Sequence, residues 1–435
     1  MKYFLSILFI IPFIAFSQEK TQELWPNGNV KEEGKMANGM KQGPWKSYYD
    51  NGNLFCEGKY ADNEKTGRWK CYYRDGKLLS DQQIENGKNL SYYADGQLEF
   101  EGILKDKQKN GLWTYYYPNG KTKRKVTYKD GTQNGAEEKW FEDGQMSMSG
   151  TFKDGKKVGT FTWYYPNGKV EMTGPFVSDL REGEWKFYYE NGNLGSAGLF
   201  KNDKLQGDWT YYYEEEGTKW KEGKFETGLK TGSWNRFYET GENFSTGAFA
   251  NDKETGKWTS YYKNGQIKET GEFFEGEMHG KWLGYFEDGS PKFDVEYDKG
   301  KKNGKALLWY PNGHKQYDKG YKNDLEDGPS TEWHETGELR AVGDYKDGEK
   351  QGLWKLYYSN GFKFQEQTYL DGKLNGLSQA WYEHGAKWFS ISYQGGRLHG
   401  TNTYWDMDGN ITYRAKYSDG KLVKVMQKSG EADKF

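Results

Sequence analysis

Five histidines, two cysteines and 64 acidic residues are the groups in this 435-residue chain that could hold a metal or move protons. The histidines (His279, His314, His334, His384 and His399) are scattered through turns and strand ends, and none has ligand spacing to another, so polar surface roles are expected of them. Two cysteines alone cannot build a structural zinc site. Turns such as Lys153-Asp154-Gly155 lack the aspartate spacing of calcium loops. There is no nucleophile elbow, phosphate-binding loop or dinucleotide fingerprint. Acids are plentiful enough for a hydrolytic pair, yet nothing singles a pair out. The expectation is a chain that is not an enzyme, with no catalytic residue, cofactor or metal.

Aromatic chemistry recurs instead. One position is aromatic in all sixteen full copies of a repeat: Tyr48, Tyr72, Tyr92, Tyr116, Trp140, Tyr164, Tyr188, Tyr212 (counted around an insertion), Phe237, Tyr261, Tyr285, Trp309, Trp333, Tyr357, Trp381 and Trp405. Such a row packs strands together, and where exposed it offers π-faces to sugar rings or to a protein. These residues form the candidate binding ladder.

The elements that carry the ladder are set by glycine. Turn glycines from Gly28 to Gly409 recur seventeen times, and fourteen of the sixteen intervals are 24 residues. A fixed period of this length marks a repeat array, not several globular domains. A second glycine lies nine residues before the turn glycine in every full unit, from Gly43 to Gly400, and between the two run alternating aromatic segments such as Trp45-Lys46-Ser47-Tyr48-Tyr49. These read as strands. Asn or Asp precedes the turn glycine in thirteen of seventeen cases, as at Asn51-Gly52, which predicts type I′ hairpin turns. Asp154-Gly155 and its equivalents supply a turn at the other half-period. The fold expected is all-β: an elongated, single-layer antiparallel meander of about sixteen stacked 24-residue hairpins.

Folding one hairpin about Asn51-Gly52 sets Tyr49 opposite Leu54, Ser47 opposite Cys56 and Trp45 opposite Gly58, so that the indole could lie over the glycine. Aromatics such as Tyr60, Phe152, Phe273 and Tyr345 complete that face. Lys46, Glu57 and the ladder occupy the other. Tryptophan enters the ladder only where the Trp45 position has lost it, at Glu137, Ala306, Ser330, Ser378 and Asn402. Either two repeat subtypes exist or a bulge changes the parity.

Composition supports a folded, well-hydrated array. Charged residues make up 29% of the chain and aromatics 18%, and disordered chains are poor in aromatics. Lys and Arg (62) balance Asp and Glu (64) with signs mixed throughout, which leaves no nucleic-acid footprint. Residues 1–17 read as a signal peptide: Lys2, an apolar run from Phe4 to Phe16, and Ala15-Phe16-Ser17 before cleavage at Gln18. No transmembrane segment is expected after cleavage. Residues 18–426 form the array and 427–435 a polar tail. The location expected is outside the cytoplasm: periplasm, cell surface or medium.

At these residues the chain resembles the MORN-repeat proteins, in the bacterial variant with the core Tyr-x-Asn-Gly-x-Leu-x-x-x-Gly-x-Tyr-x-x-Gly-Lys-x-x-Gly-x-Trp. That core appears as YYDNGNLFCEGKY at 48–60 followed by GRW at 67–69, and as YYPNGKVEMTGPF at 164–176. The resemblance covers about residues 20 to 426. It implies an extended sheet of stacked hairpins that associates with proteins or membranes, and bacterial members are often assigned to an antitoxin family. The reading is therefore an exported scaffold for protein–protein interaction at the envelope, antitoxin- or immunity-like, with a protein as the unidentified partner. The alternatives are glycan or cell-wall binding through the ladder, and membrane-surface association.

Folding the next turn about Asn63 and Glu64 sets Gly58 opposite Trp69 and Cys56 opposite Cys71, close enough for a disulfide. Two expectations are open to measurement. Sixteen two-stranded units at ~4.8 Å per strand give a rod on the order of 150 Å, so small-angle scattering should return a radius of gyration well above the ~22 Å of a packed domain. Intact-mass analysis of the exported protein, alkylated without reduction, should show a chain beginning at Gln18 with neither cysteine labelled. An uncut or doubly labelled chain would refute that reading.

Overall fold

In a computed structural model, residues 19–428 are described. The signal peptide (1–17), the cleavage point before Gln18 and tail residues 429–435 lie outside them. The last strand, Lys421–Lys428, includes the first two residues assigned to the tail. Among the described residues there are 37 strands and no helix, in an open antiparallel sheet in which successive strands pair, except that the short strands Leu180–Arg181 and Arg397–Leu398 share a partner with the strand that follows each. The chain divides into two units, Met1–Leu205 and Gln206–Phe435, and each is a meander of hairpins.

The hairpin of Met40–Tyr48 and Leu54–Ala61 shows the unit of construction. Ser47 pairs with Cys56, Lys46 with Glu57 and Trp45 with Gly58, in the expected register. Nearer the turn the register shifts, so that Tyr48 and not Tyr49 pairs with Leu54. The cause is the turn. Tyr49 N–H donates to the Asn53 carbonyl and Gly52 N–H to the Tyr49 carbonyl, both at 2.9 Å. Of the Asn-Gly pair only Gly52 has a positive φ, 84°. The loop is therefore three residues long, a type I turn closed by a left-handed glycine, and Phe55 is the extra residue of a bulge. The expected type I′ turn is corrected here. Type I′ geometry occurs at the other half-period, where both central residues have positive φ, as in Asp62 (51°) and Asn63 (69°).

A second irregularity positions the core. Between adjacent hairpins the pairing steps from Glu57–Lys70 to Lys59–Thr66, leaving residues 67 to 69 opposite Gly58 alone. Gly67, at φ 60°, takes the left-handed conformation at this bulge. The bulge lays the Trp69 indole flat over Gly58, where an added Cβ would sit 2.2 Å from the ring. Trp69 Nε1–H donates to the Lys59 carbonyl at 3.1 Å.

The contact repeats: Trp45 over Gly34, Trp185 over Gly174, Trp234 over Gly223, Trp282 over Gly271 and Trp354 over Gly343. Each of these indoles donates to the residue just after its glycine. So Trp45 covers the glycine of the preceding strand, not Gly58 of its own hairpin. The indole joins repeats.

Rings from the intervening strands complete this face edge-to-face. In the second unit Phe225, Trp234, Phe249, Trp258, Phe273 and Trp282 follow one another at centroid distances of 5.1–5.8 Å. Such pairs contribute ~0.5–1.5 kcal/mol each beyond burial. Lysines cap the rings from outside, Lys41 at 4.3 Å from Trp45 and Lys350 at 4.3 Å from Trp354.

Phe161 lies over Gly150 in the same way, and where no aromatic ring takes the position its glycine is absent too. Val126 faces Glu137, Val295 faces Ala306, Lys319 faces Ser330 and Gln367 faces Ser378. The volume has moved from one strand to the other. Glu137, almost fully buried, is neutralised by Arg124 at 2.6 Å. Lys319 lies between Glu326 (2.6 Å) and Glu332 (2.8 Å), and although burial opposes its charge, these two carboxylates hold its pKa well above the ordinary lysine value. The strand Thr132–Trp140 alternates regularly beyond Gly135, so Glu137 and Trp140 lie on opposite faces. Two repeat subtypes therefore exist.

Cys56 and Cys71 are joined in a disulfide, Cα–Cα 4.1 Å, beside Trp45 and Trp69 in the first unit. Closing a loop of 15 residues contributes roughly 3 kcal/mol in the chain-entropy account.

The indole–glycine pair makes a quantitative prediction. Gly271→Ala should cost ~1–3 kcal/mol by overpacking and Trp282→Ala ~3–5 kcal/mol by leaving a cavity. Gly271→Val combined with Trp282→Ala, which copies Val295 and Ala306, should lose clearly less than the sum of its single changes. Additive losses in urea unfolding would contradict the pairing.

Candidate functional site

Strand alternation puts Trp45 and Ser47 on one face, and Lys46 and Tyr48 on the other. All sixteen ladder residues, Tyr48 through Trp405, are half-buried. The seven from Tyr48 to Tyr188 lie in the first unit and the nine from Tyr212 to Trp405 in the second. Successive ladder residues are two strands apart, ~9.6 Å at ordinary strand spacing.

The row beside the ladder changes character along the chain. Near the start it alternates in charge: Glu33 pairs with Lys46, Lys46 with Glu57, Glu57 with Lys70 and Lys70 with Asp81. Ladder phenols there are held by acids. Tyr48 donates to Glu33 Oε1 at 2.7 Å, Tyr72 to Glu57 at 3.2 Å and Tyr116 to Glu101 at 2.8 Å. Burial, then the hydrogen bond to Glu33, pushes the Tyr48 phenol up to about 12, and burial with Glu101 does the same for Tyr116. Glu101 itself is held below its usual value by hydrogen bonds from Lys88 and Tyr116.

At two places further along, the row is locally uncharged. Thr162 and Thr173 share a hydroxyl hydrogen bond of 2.9 Å in the first unit, as do Thr259 and Thr270 in the second. Thr173, Thr246 and Thr270 stand three residues before Phe176, Phe249 and Phe273 of the core ladder, where Glu57 stands three before Tyr60, a change visible in the sequence once the faces are known.

A second set of aromatics, not singled out from the sequence, runs along the turns. The hydroxyl of Tyr49 donates to the Tyr72 carbonyl at 3.0 Å, and Tyr165, Tyr262 and Tyr382 repeat the bond to Tyr188, Tyr285 and Trp405 at 2.8–2.9 Å. The signal was the second tyrosine of each Tyr-Tyr pair. Where that tyrosine is histidine, at His334, Nε2 replaces the hydroxyl, 3.0 Å from the Tyr357 carbonyl. A carbonyl accepts only, so this nitrogen carries the proton. The turn asparagines have two tasks. Asn167 Oδ1 accepts from Lys169 N–H at 3.0 Å, and its Nδ2 donates to the Glu190 carbonyl of the next turn at 2.8 Å. Asn264 and Asn312 do the same in the second unit.

His384 Nε2 and His314 Nδ1 also meet turn carbonyls, at 3.1 and 2.9 Å. Among the described residues no cluster of three His, Cys, Asp or Glu side chains is arranged to hold a metal.

The family model described as MORN repeat variant matches eight segments, residues 41–62, 65–86, 85–106, 109–130, 157–178, 181–202, 254–274 and 278–299. No curated protein matches the chain. Among solved structures, the chain is similar to the crystal structure of TcdB2-TccC3-TEV at 12% identity, over 92% of this chain and 22% of that one, with a TM-score of 0.15. A Tc holotoxin pore from Photorhabdus luminescens matches at 10% identity, over 93% of this chain and 28% of that one, with a TM-score of 0.14. The chain spans about a quarter of the length of these solved structures.

The acid-bound phenols give a pH prediction. Tyr48 has a folded-state value near 12 against an ordinary 10.0, so its contribution to stability is complete below about pH 10 and is lost as pH rises through about 12. In ring-labelled NMR, Tyr48 should still be protonated at pH 10.5 (about half a unit above the free phenol), and Glu33→Gln should lower its midpoint. A midpoint near the free value in the wild type would contradict the contact.

Proposed function

We propose that this chain is an exported, non-enzymatic repeat scaffold that holds a protein partner at the cell envelope, in the manner of an immunity or antitoxin protein. The observation that carries the reading is where the functional groups are used. Tyrosine hydroxyls, turn asparagines, indole N–H groups and His334 bond one repeat to the next. Groups committed to neighbours make a surface of fixed shape, which suits recognition more than proton transfer.

Three further points support it. Eight segments match the MORN repeat variant. The first residues have the charge, apolar core and small-residue ending of a secretion signal. A disulfide between Cys56 and Cys71 suits an oxidising compartment. Periplasm, cell surface and medium all satisfy these points.

The test is capture. Mature protein immobilised through its C-terminus should retain a defined envelope protein that free mature protein displaces. The bound protein should be released when the charge row is reversed by Glu57→Lys with Lys46→Glu and Lys70→Glu. Retention of purified peptidoglycan alone, with no displaceable protein, would overturn the scaffold reading.

A further inference from the structure

The second unit contains a strip unlike the charged row that begins the first. The strands Leu229–Phe237, Lys253–Tyr261 and Glu277–Tyr285 end in the ladder residues Phe237, Tyr261 and Tyr285. Directly opposite these lie Asn243, Ile267 and Pro291, all uncharged. The neighbouring row is Thr246, Thr259 and Thr270, paired strand to strand. Thr259 and Thr270 bond each other, and Thr270 bonds the Trp258 carbonyl at 2.9 Å. The floor is thus polar but already satisfied.

Tyr261 and Tyr285 differ from Tyr48 and Tyr116 in one respect that matters for binding. The latter give their hydroxyls to Glu33 and Glu101. Glu33 and Glu101 stand fifteen residues before Tyr48 and Tyr116; fifteen before Tyr261 and Tyr285 stand Thr246 and Thr270, and among the described residues neither hydroxyl has an acceptor. The row carries charge only where it leaves the threonines, at Glu222 beside Asn235 and at Asp294 opposite Leu283, and each of these is paired with a lysine, Lys219 and Lys281; Lys257 and Glu272 lie directly opposite each other one row further out. Charge complementarity therefore selects an uncharged ligand, and half-exposed rings beside free hydroxyls select one with flat apolar faces and polar edges.

Spacing narrows the class. One ring recurs every two strands, ~9.6 Å. In a β-1,4-linked polysaccharide each pyranose is turned over relative to the last, so the same sugar face returns every second residue, at close to this interval. We propose that the strip formed by Phe237, Tyr261 and Tyr285 over Thr246, Thr259 and Thr270 binds a neutral β-1,4-linked polysaccharide lying across the strands. Alternate sugars stack on the three rings, and the two phenols bond hydroxyls at the sugar edges. The site is separate from the charge row on which the protein-scaffold reading is tested, so either can fail alone.

The test is calorimetric titration of the full mature protein with cellohexaose and chitohexaose. Saturable binding of at least one is expected, unchanged between about 0.05 and 1 M salt because no ion pair is involved. Tyr261→Leu with Tyr285→Leu keeps apolar bulk but removes the π-faces and hydroxyls. That variant should keep the wild-type melting temperature and bind about tenfold more weakly or worse. Tyr48→Leu with Tyr116→Leu should bind like the wild type. Failure of the wild type to bind either sugar, strongly salt-dependent binding, or equal loss in both double variants would overturn the assignment.

Discussion

A flat indole over a glycine on the preceding strand is the contact on which the rest of this structure depends. A single-layer sheet has no second layer to bury its face against, so it must be sealed by its own side chains. That requires one large planar group and one empty position beside it. The bulge at Gly67 and its equivalents aims the indole, and the freed carbonyl at Lys59 receives its N–H. Because the pair crosses the boundary between hairpins, burial and hydrogen bonding are shared between repeats and not completed within one. Each hairpin is then stable chiefly through its neighbours, the nearest-neighbour condition of repeat proteins.

Much of this was legible in the amino-acid order. The glycine period, the strand assignment, the pairing of Ser47 with Cys56 and the apposition of Cys56 with Cys71 follow from spacing and parity alone, and the structure has them so. The turn type was not legible. Asn-Gly suits a two-residue type I′ turn, and it equally suits the end of a type I turn with glycine left-handed; only the loop length separates them, and that is set by bulges invisible to a parity argument. The same bulges hid the partner of the tryptophan. In register Trp45 faces Gly58, but its ring leans back onto Gly34.

One sequence signal would have found it. In every repeat with Trp or Phe at the Trp45 position the residue eleven earlier is glycine, and in every repeat without an aromatic there it is not. The core face is thus nearly constant in chemistry, with volume exchanged only within a pair. The opposite face is free to vary, because its ladder needs only an aromatic ring every second strand. Variation there runs from the alternating charges around Lys46 to the threonine row around Thr259. The fold separates a face that maintains the array from one that can diversify for recognition, and the turn tyrosines and asparagines keep the spacing of both.

The central claim can be read directly in the proton NMR spectrum of the folded protein. Glycine α-protons beneath an indole face are shielded by the ring current, so those of Gly174, Gly223 and Gly271 should be displaced strongly upfield, while that of turn glycine Gly265, which has no atom near its Cβ position, should not. The indole N–H protons of Trp185, Trp234 and Trp282 should exchange with solvent only as slowly as the surrounding sheet opens. Glycine α-protons at ordinary positions, with fast-exchanging indole protons, would show that the rings do not lie where this account needs them.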